Sequence, residues 1–135
     1  RSYKEPAEVV DDEYPLVLNT GRVSCHFNTR TRTGRIPRLN NIEPDNFIEI
    51  HPTDATRYGI SDGDEVEVTS RRGSVRGATR IRDRVLAGTI FMSPHFGKAT
   101  LVGSGRLANL VCNPAYDTHS KQPELKYCAV KIAKV

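Results

Sequence analysis

The chain consists of short apolar or alternating runs, and a turn signal follows most of them. Residues 65–69 alternate polar and apolar side chains, as a strand with one buried face does. Residues 71–74 are predicted as a hairpin turn with Gly73 at positive φ, and residues 75–82 as the returning strand. A series of runs this short favours a fold built from many short strands.

Four more short runs are predicted as strands, at residues 14–18, 47–50, 89–92 and 127–135. A helix of barely two turns is predicted at residues 53–58, because proline or threonine suits its start and glycine its end. Residues 106–111 are predicted as one or two helical turns. The predicted fold is mainly β, a compact barrel with a few short helices, whose closure removes exposed strand edges. The side chains expected to face the interior are Ile48, Ile50, Val66, Val68 and Ile90.

An arginine-rich segment lies between residues 14 and 42. It contains five arginines, no lysine and no acidic residue, so it carries +5 while the whole chain carries a net +4. Arginine presents a rigid fork of donors that matches phosphate oxygens in pairs, and neighbouring threonine, asparagine and glycine residues add donors and allow close approach. The part of this segment that follows the predicted strand at residues 14–18 is predicted as a long loop, interrupted by Gly34 and Pro37. We interpret the segment as an anion-binding site. A solvated basic loop without a ligand is the alternative.

The length of 135 residues fits one domain, which we assign to residues 14–135, with residues 1–13 as a polar linker or tail. No apolar run approaches the roughly 20 residues of a membrane helix, so membrane insertion is not expected. Three separated cysteines without a CxxC pair argue against a zinc or iron–sulfur site. No Ser/His/Asp order, nucleophile elbow or P-loop is visible, and we predict no catalytic residue and no metal ligand in this chain.

A set of short motifs, ordered along nearly the whole chain, resembles one protein family. The first two are Asn19-Thr20-Gly21-Arg22 and Thr29-Arg30-Thr31-Arg32-Thr33. Others lie at residues 49–55, 59–64, 70–73, 113–117 and 120–130. From about Tyr14 to Val135 the chain resembles the C-terminal molybdopterin dinucleotide-binding domain of molybdenum oxidoreductases that use bis(molybdopterin guanine dinucleotide), the nitrate reductase and formate dehydrogenase family.

The resemblance implies a double-psi β-barrel that closes over the cofactor as one of several domains of a large enzyme. It implies bis(molybdopterin guanine dinucleotide) with molybdenum or tungsten, shared with the remaining domains of the same subunit, and an iron–sulfur cluster only in those domains. The metal ligand would also lie there, so Cys25 is not expected to bind the metal. Phe96 matches a position near the substrate funnel. The positions that match cofactor-binding residues are Thr20, Gly21, Arg22, His26, Asn28, Thr29, Asn109 and Lys126.

We expect a fragment of a nitrate reductase catalytic subunit, because residues 31–39 resemble those enzymes more than formate dehydrogenases. Residues 95–97 favour a formate dehydrogenase alpha subunit, which is the first alternative. A free-standing cofactor-binding subunit, as in formylmethanofuran dehydrogenases, is the second. The nitrate interpretation implies a cytoplasmic enzyme, or a periplasmic one if a signal precedes the chain. Nucleic-acid binding is disfavoured, because beyond Phe27 no aromatic residue is interleaved with the arginines and no RNA- or DNA-binding motif is present.

Overall fold

The computed structural model describes residues 3–97 and 106–135. In these residues, two short helices and two 3₁₀ turns accompany six strands. The strands are β1 Leu16–Thr20, β2 Phe47–Ile50, β3 Glu65–Ser70, β4 Gly73–Ile81, β5 Thr89–Met92 and β6 Cys128–Lys134. The helices are α1 Pro37–Ile42 and α2 Pro52–Tyr58, and the 3₁₀ turns are Thr33–Arg35 and Ala108–Leu110. Neither of the described helices has the length and apolar character needed to cross a membrane.

The six strands form one closed barrel in the order β1-β5-β2-β4-β3-β6, and β6 pairs again with β1. The β1–β5 and β2–β4 pairs are parallel, whereas the other neighbouring pairs are antiparallel. This mainly β barrel with short helices confirms the predicted fold class. Its mixture of parallel and antiparallel pairs agrees with the double-psi arrangement that the family resemblance implies.

The barrel interior is filled by the side chains that the alternation predicted. Those with 0% exposure include Ile48, Ile50, Val66, Val68 and Ile90. On the other face of β3, Glu65 is exposed and Glu67 is half-buried, so the register of this strand is as predicted. Glu49 differs from these two acids because it is buried outside the barrel, where its carboxylate forms an ion pair with Arg84.

The short helix α2 begins and ends as the sequence predicted. His51 precedes it, and its Nδ1 accepts a hydrogen bond from the Thr53 N–H at 3.1 Å. Pro52 occupies the first turn, where its missing N–H leaves no helical hydrogen bond unmade. Gly59 ends the helix with φ 64, a left-handed conformation that glycine adopts at little cost.

Two local predictions were wrong. Residues 37–42 form helix α1 rather than loop, because a proline at the first helical position starts a helix instead of interrupting a segment. Gly73 begins β4 and is not among the glycines with positive φ. A Cβ on Gly73 would lie 3.1 Å from the carbonyl oxygen of Leu110, so this glycine supplies a close backbone approach rather than a left-handed turn.

The N-terminal segment, predicted as a linker or tail, contacts the barrel at Glu8 and Asp11. The Glu8 carboxylate accepts a hydrogen bond from the Ala129 N–H at 2.6 Å and forms an ion pair with Arg72. Asp11 forms an ion pair with Arg71. The segment is therefore attached both to the tip of the β3–β4 hairpin and to the start of β6.

Candidate anion-binding site

A cleft of about 890 Å³ lies on the outer surface of the barrel. Its floor consists of outward-facing side chains from four neighbouring strands, β1, β5, β2 and β4. The strand register places Asn19, Phe91, Glu49 and Arg80 side by side across these strands. The rest of the lining comes from segments outside the strands, namely residues 22–25, 42–43, 84–86 and 126–127.

Two of the arginines that line the cleft are neutralised by carboxylates. Arg80 donates two hydrogen bonds to Glu43, at 2.8 and 2.6 Å, and Arg84 forms an ion pair with Glu49. Hydrogen bonding to these carboxylates raises the pKa of both guanidinium groups. Because each of these guanidinium groups is paired with a carboxylate, the two arginines contribute little net positive charge to the cleft.

Arg22 and Lys126 line the same cleft without such partners. Both side chains are exposed, and neither forms an ion pair with any residue in the ranges 3–97 and 106–135. The guanidinium carbon of Arg22 lies 5.8 Å from the ring centre of Phe27. The cleft therefore holds two positive charges that an anionic ligand can pair with.

Gly21 permits a close packing of the chain against the floor of the cleft. A Cβ at this position would lie 2.6 Å from Cε2 of Phe91, a distance that real side chains do not tolerate. Phe91 lines the cleft, so any side chain at residue 21 would push its ring out of place. A glycine here keeps the segment that carries Arg22 close to β5.

The segment after β1 is held in place by polar side chains that are themselves buried. The His26 ring is 4% exposed, with its Nε2 at 2.8 Å from the Glu43 carbonyl oxygen. Arg30 is 1% exposed, lies 4.3 Å over the ring centre of Phe96, and donates to Asn40 Oδ1 at 2.6 Å. Arg30 is thus a buried structural cation, not a surface group of the arginine-rich segment.

The structure brings together some of the residues predicted to bind the cofactor. Arg22 and Lys126 line the cleft, and Gly21 supports its floor. Thr20 is buried, and its Oγ1 donates to the Leu125 carbonyl at 2.8 Å, next to Lys126. These four positions lie at one end of the barrel.

Other predicted residues lie elsewhere. Asn28 and Thr29 are exposed in the loop after β1, and Thr29 forms a 2.8 Å hydrogen bond with Thr31 through their hydroxyl groups. Asn109 is exposed in the 3₁₀ turn and is not part of the cleft lining. Phe96, matched to a substrate funnel, is fully buried under Arg30. The cofactor-binding roles of all the residues matched by the resemblance, including the buried His26, and the substrate-funnel role of Phe96 stay predictions.

Sequence reasoning missed Glu43 and Glu49, the two buried acids of the cleft. The role of each acid is visible only from the arginine that it pairs with. These partners, Arg80 and Arg84, lie far from the acids in the sequence. It also missed the full burial of His95, which belongs to the motif at residues 95–97. No local pattern in the sequence signals any of these contacts.

Comparison with known proteins agrees with the family resemblance. The family model described as "Molydopterin dinucleotide binding domain" matches residues 16–129. F420-dependent formate dehydrogenase 2 subunit alpha of Methanococcus maripaludis is 42% identical over 98% of this chain and 19% of its own length. A nitrate reductase of Symbiobacterium thermophilum is 42% identical over 99% of this chain and 17% of its own length. The chain thus spans about a fifth of the length of these relatives.

A solved structure shares the fold. Acetylene hydratase from Pelobacter acetylenicus matches 90% of this chain and 18% of its own, with a TM-score of 0.76 and 21% identity. At that identity the likeness concerns the fold alone. The family model and the two relatives together show that the chain belongs to the molybdopterin dinucleotide-binding domain family of molybdenum oxidoreductases.

Proposed function

We propose that the cleft binds the phosphate-bearing part of a molybdopterin guanine dinucleotide, and that Arg22 and Lys126 hold its negative charge. One observation carries the proposal: these two cations share a cleft without a carboxylate partner in the described residues, whereas Arg80 and Arg84 are neutralised. A pyrophosphate presents paired oxygens that match a guanidinium fork and an ammonium group.

The donor set of the cleft fits the rest of such a cofactor. Asn19 offers an amide donor and acceptor of the kind that pterin and guanine edges require, and Phe91 offers an aromatic surface. A volume of about 890 Å³ lies within the usual range of small-molecule sites. When bound, the metal of the cofactor supplies the redox chemistry, while the residues of this chain bind and orient the organic part.

We further propose that the chain is the cofactor-binding domain of a formate dehydrogenase alpha subunit. The 42% identity to the formate dehydrogenase relative supports this, together with the motif at residues 95–97. A nitrate reductase is the second candidate, since the nitrate reductase relative is also 42% identical and residues 31–39 resemble that group. The low share of each relative's length that the chain covers supports completion of the site by other domains of the same subunit.

The finer assignments form part of the same proposal. They are the bis form of the cofactor, molybdenum or tungsten as its metal, an iron–sulfur cluster held by other domains, and a cytoplasmic location. The family resemblance is their support. In this arrangement no residue of this chain acts on substrate chemically.

Analysis of the full-length subunit tests the proposal. Metal and pterin are quantified on the purified protein, and turnover is then measured with formate and with nitrate. The expected result is molybdenum or tungsten with two pterins per subunit, and turnover with formate. Turnover with nitrate alone would reassign the substrate, and a protein without metal and pterin after expression in a cofactor-producing host would contradict the proposal.

A further inference from the structure

We infer that His95 is a positioning residue for the cofactor site: its neutral imidazole joins both ends of the turn at residues 23–28 and so fixes the segment that carries Arg22. The side chain is fully buried. The Val23 N–H donates a hydrogen bond to Nε2 of His95 at 3.0 Å, and Nδ1 of the same ring lies against the carbonyl oxygen of Asn28. This inference rests on the proposed function of the cleft.

The two partners of the ring determine its protonation state. Nε2 faces an N–H donor and must therefore act as an acceptor, which leaves the proton on Nδ1 for the Asn28 carbonyl. A cationic imidazole would carry a proton on both nitrogens and would repel the Val23 N–H. The turn can close only around the neutral ring with its proton on Nδ1.

The surroundings of His95 favour that neutral form. Burial lowers the pKa of His95, and the positive charges of Arg22 and Arg30 and the neighbouring His26 ring lower it further, although the Asn28 carbonyl acts in the opposite direction. The His26 ring centre lies 6.2 Å from that of His95, and the Phe96 ring centre lies at 6.3 Å.

The turn needs such support from outside. Asn28 has φ 45, a left-handed conformation that a residue with a side chain adopts at a cost. Val23 lines the cleft directly after Arg22, so the bond to His95 fixes the backbone next to the proposed phosphate-binding cation. The imidazole of His95, which follows β5, thus determines the position of Arg22, which follows β1.

The test uses the full-length subunit prepared without cofactor and again with it, in three variants. His95→Leu removes both bonds, and His95→Gln offers an acceptor to Val23 but cannot place its amide at both ring-nitrogen positions. His119→Gln is the control, because His119 is exposed in a turn distant from the cleft lining. Hydrogen–deuterium exchange of peptides covering residues 22–29 is measured on the cofactor-free form, and the rate of metal loss during dialysis on the loaded form.

Loss of the acceptor for the Val23 N–H should speed exchange at residues 22–29 at least about fivefold in His95→Leu. The exchange rate of His95→Gln should lie between that of His95→Leu and that of the wild type. Metal loss should accelerate in the same order, and His119→Gln should match the wild type in both. Exchange in His95→Leu within twofold of the wild type would overturn the inference. If His95→Leu does not fold, the inference would be overturned by an exchange rate in His95→Gln equal to that of the wild type.

Hydrogen exchange and metal loss together distinguish a failure of the role inferred for His95 from a failure of the proposed cofactor binding. Faster exchange with an unchanged rate of metal loss would keep His95 as a clamp of the turn, but it would remove the turn from the cofactor site and overturn the positioning role. Faster metal loss with wild-type exchange would also contradict the clamp. A wild-type subunit that never holds metal would refute the proposed function, while the exchange result would still decide whether His95 holds the turn.

Discussion

Arg22 and Lys126 line one cleft because the strands beside them pair antiparallel. Leu18 of β1 is in register with Cys128 of β6, so the chain leaving β1 and the chain entering β6 meet at the same end of the barrel. The barrel therefore brings together the two segments that carry the cations, one directly after β1 and one directly before β6. Contacts such as the hydrogen bond from the Val23 N–H to His95 then hold the segment after β1.

Adding a methyl group at residue 21 should damage the cleft more than the fold. In Gly21→Ala the new Cβ would meet the Phe91 ring, and its displacement costs about 1–3 kcal/mol. We expect metal content in the full-length subunit to fall several-fold. Gly34→Ala is the matched control, since its Cβ would lie at an ordinary 3.5 Å from the nearest atom. Equal metal loss in both variants would rule out a specific role for Gly21.

Glu8 should stabilise the domain in a pH-dependent way. Hydrogen bonding to Arg72 lowers the pKa of Glu8 below its ordinary value of 4.5. The contribution of Glu8 to the free energy of unfolding is therefore complete above about pH 4.5. It is lost as the pH falls through the lower pKa that Glu8 has in the folded state. At neutral pH, Glu8→Gln should lower the free energy of unfolding by about 1–3 kcal/mol, because a partly buried charge-assisted pair is broken.

Urea unfolding of the 135-residue chain at neutral pH and at about pH 3 measures this dependence. The difference between wild type and Glu8→Gln should shrink at the acid end. Asp12→Asn removes the same charge from an exposed neighbour and should be nearly neutral at both pH values. A Glu8→Gln difference that grows on acidification would show that the carboxylate is not stabilised in its charged form.

The 135-residue chain alone should not turn over formate or nitrate. No group of three or more His, Cys, Asp or Glu side chains within residues 3–97 and 106–135 is arranged to hold a metal ion. The arginine-rich segment can bind part of a cofactor but offers no group to carry electrons. Steady-state assays on the pure chain check this, and turnover in a preparation free of the full-length enzyme would contradict it.

The strands and their inward faces were predictable because each depends on local alternation. Val66 and Val68 alternate with acids inside a short run bounded by turns, and no distant contact is needed to place them. Helix α1 was missed because residues 37–42 contain little apolar periodicity and begin with a proline that also occurs in loops.

The cleft was only partly predictable. The family resemblance paired Arg22 with Lys126, and the β1–β6 register gives the physical reason. The burial of Arg30 could not be predicted, because its partners are an aromatic ring and an amide from separate segments rather than a carboxylate. In a sequence it is indistinguishable from the exposed arginines beside it.

Metal content of three single variants of the full-length subunit tests the central claim most directly. Arg22→Ala and Lys126→Ala each remove a charge-assisted contact worth about 1.5–3 kcal/mol, so each should lower metal and pterin occupancy roughly tenfold or more under limiting cofactor. Arg57→Ala removes an exposed arginine of helix α2 and should leave occupancy unchanged. Occupancy that falls equally in all three variants, or in neither Arg22→Ala nor Lys126→Ala, would contradict the assignment of the cleft as the cofactor site.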